Sequence, residues 1–474
     1  MDHLRNDKTT FLLNETLICT DKPSGMVLLD FVRYHQHLKG TKIGCREGDC
    51  GACTLLIGEL SGDKLRYRSA TSCLTALGNI HLKHVVTVEG LNGEGLNPLQ
   101  QAICEEGGTQ CGFCTPGFIV SMAGLCLGDG ELTYQHARAA VDGNICRCTG
   151  YKSIERALLR VTELLQGKAA ATDRLAFLVD LGILPPYFRK IRQRLDELSE
   201  SHFLREGGRF LGGGTDLYVQ QHEAMVNMDI QFLNKQERLK GIWQEGQQCM
   251  IGASATVTDL MESSVIQSAF SGFDQYARLI SSTPIRNIAT IAGNFVNASP
   301  IGDLTVFFLA LDAKLWLSDG RSIRELPLRS FYLGYKQLNK RPEEYIERIS
   351  FALPGPDEHF HFEKVSKRTC LDIASVNTAM LIRVKGERVE DAHISAGGVG
   401  PVPAYLEHAS AMLKGQPLGE GIILACIKRA CTEIAPISDA RGTADYKSLL
   451  LGQLIKAHFL TLFPALQAKQ LLET

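Results

Sequence analysis

The sequence has no large excess of one charge, no long apolar run and no export signal. Its 50 Lys and Arg residues nearly balance 52 Asp and Glu residues, for a formal net charge of -2, so the composition gives no indication of nucleic-acid binding. The longest apolar runs, such as VFFLAL at 306–311, are much shorter than a membrane span. The opening residues MDHLRNDKTTFLL lack a charged stretch followed by a long apolar core. We therefore expect a cytoplasmic protein that binds neither membranes nor nucleic acid.

Cysteine, by contrast, is abundant, with 15 residues in the chain of 474. Because no export is expected, a disulfide framework is not favoured, and metal ligation is the better explanation for the thiols. The chain is long enough for about three or four domains. Two local basic clusters, at 189–194 and 364–368, are interpreted as solvated faces.

Strand-like and helix-like patterns alternate along the first part of the chain. Alternation and β-branched residues predict strands at 9–20, 54–57 and 84–91. The stretch 24–40 has the pattern of an amphipathic helix, with Ser24 as its cap and Gly40 at its end.

The pattern then becomes helical, and later mixed. Four helices are predicted, at 97–107, 116–127, 133–141 and 151–166. Small residues and the Pro185–Pro186 pair favour an exposed linker before the next region. That region mixes strands and helices, with glycine-rich turns at 212–214 and 292–293, and the last region has strands followed by helices.

A first set of four cysteines has the spacing C-x4-C-x2-C and, after 19 intervening residues, a fourth cysteine: Cys45, Cys50, Cys53 and Cys73. This is the plant-type [2Fe–2S] ligand spacing. The glycines at 44, 48 and 51 permit the close wrapping that such a loop needs. A zinc site is the alternative, but zinc ribbons favour two C-x2-C knuckles and this set has one.

A second set has the spacing C-x2-C and, after 31 intervening residues, C-x-C: Cys111, Cys114, Cys146 and Cys148. Each half lies just before a predicted helix, and Thr115–Pro116 is a good helix start. The two helix N-termini would then point at the site and favour an anionic cluster. Zinc remains the alternative here too. The other cysteines, at 19, 104, 126, 249, 370, 426 and 431, are predicted to be buried small apolar residues.

These two sets, in this order, resemble the iron–sulfur half of the xanthine dehydrogenase family of molybdenum hydroxylases. The resemblance lies in KIGCREGDCGACTLL, GGTQCGFCTPGF and DGNICRCTGYKSI. It implies a multidomain α+β fold: a β-grasp ferredoxin-like domain, a four-helix [2Fe–2S] domain and a two-part α+β FAD-binding domain with a C-terminal α+β piece. The boundaries predicted for the four domains and their linker are 8–92, 93–166, 167–186 (the linker), 187–357 and 358–474.

A glycine triplet in RFLGGGTDLYVQ, at 209–220, does not fit G-x-G-x-x-G, so a Rossmann dinucleotide site is not supported. Consecutive glycines can still cradle a pyrophosphate with backbone N–H groups, and a tight structural turn is the alternative. A second stretch, STPIRNIATIAGNFVNASPIGDL at 282–304, also resembles the family, in its FAD domain. The resemblance implies these FAD-binding residues: Leu211, Gly212, Gly213, Gly214, Thr215, Asp216, Leu217, Thr290, Ile291, Ala292, Gly293, Asn294 and Asp303.

The loop around 366–375 also resembles the family, and Lys367 or Arg368 is a candidate cation near the flavin, with a surface salt bridge as the alternative. Relatives often carry acidic residues just before the position of Asp372, where this chain has Thr369, Cys370 and Leu371. Side-chain contacts of this loop are therefore not transferred.

The resemblance implies an electron-transfer chain that works with a separate molybdopterin-binding large subunit, as a dimer of heterodimers. Electrons from purine hydroxylation would pass from the molybdenum cofactor to the second cluster, the first cluster, FAD and then NAD+, and no side chain of this sequence would act as acid or base on the purine. Three alternatives stay open. They are a subunit of another hydroxylase acting on an aldehyde or N-heterocycle, a zinc-stabilised scaffold without redox activity, and a stand-alone NADH diaphorase.

Overall fold

A computed structural model describes residues 8–166, 173–198 and 208–466. The chain divides into two units, the first running to Lys235 and including Ser282–Ala289, the second comprising Gln236–Ser281 and the chain from Thr290 onward. Both units combine β-sheets with helices.

Short strands and helices alternate along much of the chain. The strands are β1 Thr9–Leu13, β2 Thr16–Thr20, β3 Thr54–Ser61, β4 Lys64–Thr71, β5 His84–Val86, β6 Arg209–Leu211, β7 Ile230–Phe232, β8 Ile242–Glu245, β9 Gln248–Gly252, β10 Lys314–Ser318, β11 Ile323–Pro327, β12 Tyr332–Gly334, β13 Gln337–Leu338, β14 Tyr345–Ala352, β15 Glu358–Val365, β16 Val376–Lys385, β17 Arg388–Gly397 and β18 Ala404–Tyr405. The α-helices are α1 Leu28–Asp30, α2 Pro98–Glu105, α3 Thr115–Leu127, α4 Tyr134–Ala140, α5 Lys152–Leu165, α6 Arg174–Asp180, α7 Ile191–Asp196, α8 Thr215–Val226, α9 Val257–Glu262, α10 Ser264–Ala269, α11 Phe273–Arg278, α12 Thr283–Arg286, α13 Ile291–Asn297, α14 Asp303–Ala310, α15 Glu407–Leu413, α16 Glu420–Ala430 and α17 Ala444–Leu462.

The first unit begins with a mixed sheet of strand order β2-β1-β5-β3-β4. The pair β1–β5 is parallel and the other neighbours are antiparallel, which is the β-grasp arrangement that the family resemblance implies. Buried apolar residues of β1, β3 and β5 form its core with Leu28 and Phe31. The strand β4 was not predicted, and the prediction of 54–57 was too short, because β3 and β4 continue as a long hairpin.

The helix expected over 24–40 is much shorter than predicted. After α1 the chain makes a π-helix, Phe31–His35, and then leaves helical geometry. The Arg33 side chain donates to the carbonyls of Lys39 and Thr41, at 3.1 and 2.5 Å, so the remainder of the stretch is held as a loop. The strand predicted at 84–91 ends at Val86 and continues as a 3-10 turn.

Four helices follow, as predicted. The first, α2, starts in a capping box made by Asn97 and Gln100, and Thr133 caps α4, which satisfies amide groups that a helix start leaves without intrahelical partners. Their apolar faces share one core with β3 and β5 residues.

The segment 167–186 was predicted to be an exposed linker, but its described part contains a helix and buried apolar residues. Residues 167–172 lie outside the described residues, but 174–180 form α6. Leu178, Ile183 and Leu184 are buried in the core of the four helices. The prediction was wrong because proline and small residues mark a turn without showing which apolar side chains pack around it.

The first unit ends with a short parallel pair, β6–β7, connected by α8. The second unit contains a five-stranded antiparallel sheet of order β11-β10-β14-β9-β8 and a four-stranded antiparallel sheet of order β15-β16-β17-β18. Phenylalanine rings of α11, α14 and β14 make edge-to-face contacts in its core. Phe360 of β15 packs on Phe307 with tilted rings, and α17 packs on β15 and β16.

A buried histidine pair connects α17 to the four-stranded sheet. His361 Nδ1 and His458 Nδ1 lie 2.8 Å apart, and His458 Nε2 bonds the Thr378 hydroxyl at 2.8 Å. The carboxylate of Glu363 faces His361 Nε2 at 3.5 Å. Burial lowers the pKa of both imidazoles, most strongly that of His458, so the pair is neutral and structural.

The multidomain α+β class expected from the sequence is confirmed. In the part of the chain that the structure describes, every helix is too short or too polar to cross a bilayer. The domain boundaries stay predictions.

Candidate cofactor sites

The first cysteine set lies in the loop before β3 and in the turn after β4. The Cys53 and Cys73 sulfurs are 3.4 Å apart and both residues are buried. The other two thiols, Cys45 and Cys50, form a second hydrogen-bonded pair. The set therefore consists of two close pairs of sulfur atoms.

Small residues and backbone amides shape this loop around the sulfurs. Gly48 and Gly51 have positive φ angles of 82° and 66°, and a Cβ on Gly44 would lie 2.6 Å from the Cys50 sulfur. The Glu47 amide donates to Cys45 Sγ at 3.3 Å. The hydrogen bond from the Cys50 thiol, helped by backbone amides, lowers the pKa of Cys45 to about 5. The same hydrogen bond raises the pKa of the Cys50 thiol, so these contacts favour thiolate, the form that ligates iron, at Cys45 only.

The second set shows the same two-by-two arrangement. Cys111 Sγ and Cys148 Sγ are 3.4 Å apart, and Cys114 is hydrogen-bonded to Cys146. The Thr149 hydroxyl lies 3.1 Å from Cys146 Sγ, and its amide donates to the same sulfur at 3.5 Å. Cys111 and Cys148 are exposed, whereas Cys146 is buried.

Two helices begin beside the second set, as the sequence predicts. Cys114 is itself the N-cap of α3, with proline in the first turn. Tyr151, with a φ of 68°, is the N-cap of α5, and its hydroxyl accepts a hydrogen bond from the Cys146 amide at 3.1 Å. Both N-termini contribute partial positive charge near the thiols.

The donor arrangement fits two binuclear clusters better than two zinc ions. A structural zinc ion needs four donors around one point, whereas a [2Fe–2S] cluster is held by four cysteine thiolates, two on each iron. Each set supplies two close sulfur pairs, as two irons with two thiolates each require. Among residues 8–166, 173–198 and 208–466, no three or more His, Cys, Asp or Glu side chains are grouped to hold one metal ion.

The predicted flavin residues of the first unit form a tight turn at the start of α8. A Cβ on Gly213 would lie 1.9 Å from the Ile288 carbonyl oxygen, and Gly214 has a φ of 85°, so both positions require glycine. Asn79 donates to the Gly212 carbonyl at 3.2 Å. The helix α8 is interrupted at Gln221, which has non-helical backbone angles, so the candidate phosphate cradle is the run of backbone amides in the glycine turn.

This turn is packed against the first cysteine set. Leu211 and Tyr218 share one buried apolar cluster with Cys53, Cys73 and Leu74. Beside it, Arg46 makes a bidentate ion pair with Asp30 and lies 3.2 Å from His222 on α8. The sequence pattern did not single out these three residues.

The remaining predicted flavin residues belong to the second unit. Thr290 caps α13, and its hydroxyl accepts from the Gly293 amide at 3.2 Å. Residues 292–293 therefore lie in the first turn of a helix, whereas a glycine-rich turn was predicted.

Asp303 is engaged within the second unit. Its carboxylate oxygens accept from the Lys364 ammonium at 2.7 Å and the Asn377 amide at 2.5 Å. A contact of Asp303 with FAD stays a prediction. Lys364, which we assigned to a solvated basic cluster, is buried with 1% of its side chain exposed, so that interpretation was wrong for this residue.

The loop at 366–375 carries two cations with different partners. Lys367 donates to the Ala440 carbonyl at 2.9 Å. Arg368 pairs with Asp372 at 3.6 Å, half exposed, which is the surface salt bridge considered as the alternative.

The remaining cysteines are only partly as predicted. Cys126, Cys249 and Cys426 are buried, and burial raises the pKa of each thiol to about 12. Four others are not buried: Cys19, Cys104, Cys370 and Cys431. Spacing alone does not separate core thiols from surface ones.

Four sequence families match successive stretches of the chain. They are a 2Fe-2S iron-sulfur cluster binding domain at 11–78, a [2Fe-2S] binding domain at 87–159, a FAD binding domain in molybdopterin dehydrogenase at 190–354 and a CO dehydrogenase flavoprotein C-terminal domain at 361–462. Iron–sulfur and FAD-binding domains are therefore present, in an order that supports an electron-transfer part of a molybdenum hydroxylase.

Curated relatives and solved structures agree with these matches. Xanthine dehydrogenase of Emericella nidulans is 28% identical over 87% of this chain, and xanthine dehydrogenase/oxidase of Rattus norvegicus is 28% identical over 82%. The chain spans about a third of their length, 35% and 34%. Carbon monoxide dehydrogenase from Hydrogenophaga pseudoflava matches with a TM-score of 0.52 and 26% identity, over 54% of this chain and 89% of that chain.

Proposed function

We propose that this chain is the iron–sulfur and FAD subunit of a bacterial two-subunit xanthine dehydrogenase. It takes electrons from a molybdenum centre on a large partner subunit that oxidises hypoxanthine and xanthine to urate, and it delivers them to NAD+. The observation that carries the proposal is the two-by-two pairing of all eight predicted cysteines. The iron–sulfur and FAD domain matches and the xanthine dehydrogenase relatives support it.

The residues of this chain would hold the cofactors and adjust their reduction potentials. Cys45 and Cys50 would take one iron of the first cluster and Cys53 and Cys73 the other. When bound, each cluster carries one electron, and FAD collects two for transfer as a hydride. Amides and hydroxyls that point at the sulfurs, such as the amide of Glu47, stabilise negative charge on the thiolates and so tune the site's potential.

In the second set the cysteine pairs are Cys111 with Cys148 and Cys114 with Cys146. This set has an exposed side that suits electron entry from a partner. Cys111 and Cys148 lie at the surface, and the apolar side chain of Phe113 between the cysteines is 46% exposed. A partner that covers this face would exclude water from the thiolates.

The first set lies deeper and suits electron exit toward the flavin. Cys53 and Cys73 are almost fully buried and share a core with Leu211 at the start of the glycine turn. That turn would hold the FAD pyrophosphate with its backbone amides. The NAD+ acceptor and the dimer of heterodimers are parts of the same proposal.

The test is to purify the chain with its native partner and to measure xanthine-dependent reduction of NAD+. We expect two distinguishable [2Fe–2S] signals in electron paramagnetic resonance of the dithionite-reduced complex, together with bound FAD and molybdenum. A complex with zinc in place of iron, or a complex that ignores purines, would contradict the proposal.

A second candidate is the corresponding subunit of another molybdenum hydroxylase, acting on an aldehyde or an N-heterocycle. The structural match to carbon monoxide dehydrogenase and the CO dehydrogenase flavoprotein C-terminal domain match support a hydroxylase other than xanthine dehydrogenase, without indicating its substrate. The same purified complex separates the two, because this candidate predicts both clusters and FAD but turnover of a different substrate.

A further inference from the structure

A backbone hydrogen bond joins the two cysteine sets within the first unit. The Ile145 amide donates to the Cys50 carbonyl oxygen at 3.0 Å. Cys50 belongs to the first set, and Ile145 directly precedes Cys146 of the second set. Cys146 is therefore connected to Cys50 by the backbone of Ile145 and a single hydrogen bond.

A buried asparagine fixes this contact. Asn144 is 5% exposed, and its amide nitrogen donates to the Gly51 carbonyl at 3.1 Å. Its amide oxygen accepts from the hydroxyl of Ser121 on α3 at 2.8 Å, and Ser121 is 1% exposed. Because both ends of the side-chain amide are engaged, its orientation is determined.

Glycine allows the backbones to touch at this point. Gly51 has a positive φ of 66°, and a Cβ on it would lie 2.3 Å from the Gly143 carbonyl oxygen. A Cβ on Gly117 would lie 2.3 Å from the Gly51 carbonyl oxygen. Any side chain at either position would push the two cysteine loops apart.

We propose that Asn144 is a positioning residue for electron transfer between the two cysteine sets, acting by holding the Cys50 carbonyl on the Ile145 amide. The proposal rests on the proposed function, because both sets must hold clusters. For each electron that leaves the second set, one electron arrives at the first. No bond is broken and no proton is transferred, so the step needs no co-reactant.

The two roles of such a junction, packing and positioning, predict different behaviour. If Asn144 serves packing alone, its removal lowers stability but leaves the relation between two intact clusters unchanged. If it positions the sets, its removal changes their magnetic interaction and frees the Ile145 amide while each cluster remains.

The experiment compares Asn144→Ala and Asn144→Asp with Asn92→Ala, a control at an exposed asparagine of the same unit. The aspartate variant keeps the acceptor for Ser121 but loses the donor to Gly51. In the holo complex we expect hydrogen exchange of the Ile145 amide to rise by a factor of about five, equivalent to one hydrogen bond of average strength.

The second readout is electron paramagnetic resonance of the fully reduced complex. We expect both cluster signals and the full iron content in both Asn144 variants, with a weaker spin–spin interaction between the clusters and slower reduction of the first cluster in stopped flow. The Asn92 variant should match the wild type.

The outcomes separate this inference from the proposed function. A wild-type complex without iron–sulfur signals refutes the proposed function, whereas the Ile145 exchange still reports on the junction. Unchanged spin–spin interaction in variants with both clusters overturns the inference alone. So does the loss of both clusters in both variants, because Asn144 would then serve folding only.

Discussion

A buried ion pair in the first unit allows a quantitative test of the structure. Arg286 lies 2.6 Å from the Asp142 carboxylate, and the two side chains are 3% and 8% exposed. The other carboxylate oxygen accepts from the Thr283 amide at 2.7 Å. The Thr283 hydroxyl donates to the Ala139 carbonyl at 2.7 Å. Asp142 thus attaches α12 to the end of α4.

Removing the carboxylate should be costly because the guanidinium stays buried. For Asp142→Ala we expect a loss of about 3–5 kcal/mol, the usual cost of breaking a buried pair by removing one partner. Asp142→Asn keeps an oxygen acceptor for the Thr283 amide, so we expect a smaller loss of about 1–3 kcal/mol.

The matched control is Asp180→Ala, which removes an ion pair with Arg189 whose side chains are 70% and 45% exposed. Exposed pairs contribute about 0–1 kcal/mol, so this variant should unfold nearly like the wild type. Both tryptophans, Trp243 and Trp316, lie in the second unit, so fluorescence does not report on this pair.

The assay is hydrogen exchange of peptides from α4 and α12 at increasing urea concentration, which measures the opening free energy of this region directly. If Asp142→Ala changes that free energy no more than the Asp180 control does, the pair is not buried and the attachment of α12 to α4 is wrong.

Three further predictions concern the cysteines, the glycine turn and the histidine pair. Cys148→Ser should remove about half of the bound iron and one of two paramagnetic signals, since each [2Fe–2S] cluster needs four thiolates. The control Cys104→Ser should keep all of the iron and both signals, and equal iron content in the two variants would contradict the assignment. Gly213→Ala should lose FAD because the new methyl group would lie 1.9 Å from a backbone carbonyl oxygen, whereas Gly93→Ala, with no atom within 4 Å of the new methyl group, should retain it. Flavin absorbance measures the bound FAD, and retention in both variants would exclude the turn as a flavin site. Burial holds the pKa of His458 well below its usual value, so the unfolded chain binds more protons as the pH falls below about 6.5 and stability is lost toward acid. The urea midpoint of His458→Gln should fall less between about pH 7 and about pH 5 than that of the wild type, and an identical fall would show that this residue does not contribute.

The helical part of the first unit could be predicted closely because its signals are local. Pro116 lies in the first turn of α3 and Thr133 caps α4, and both residue types mark helix starts in the sequence itself. The missed strand β4 also had a local signal, the Gly62–Asp63 turn between alternating stretches.

The helix predicted over 24–40 failed for a tertiary reason. Its apolar spacing continues past His35, but Arg33 holds the carbonyls of Lys39 and Thr41 and the Lys42 amide bonds the Ala52 carbonyl. These contacts belong to the folding of the cysteine loop. Periodicity indicates which face of a segment is apolar. It does not indicate where hydrogen bonds to a neighbouring loop replace the hydrogen bonds of a helix.

The candidate site shows the same difference between features that neighbouring residues determine and contacts between residues far apart in the sequence. Spacing was enough to single out eight cysteines, because a ligand set leaves a pattern in the sequence. Spacing does not indicate which sulfurs lie close together: Cys73 pairs with Cys53 across a hairpin, and Cys111 with Cys148 across two helices. The partnership of Asn144 with Gly51, 93 residues away, has no sequence pattern at all, since asparagine two residues before a cysteine is as consistent with a turn as with a buried donor. Candidate ligands can therefore be singled out from a single sequence, whereas the contacts between one cysteine set and the other become visible only when the backbone brings them together.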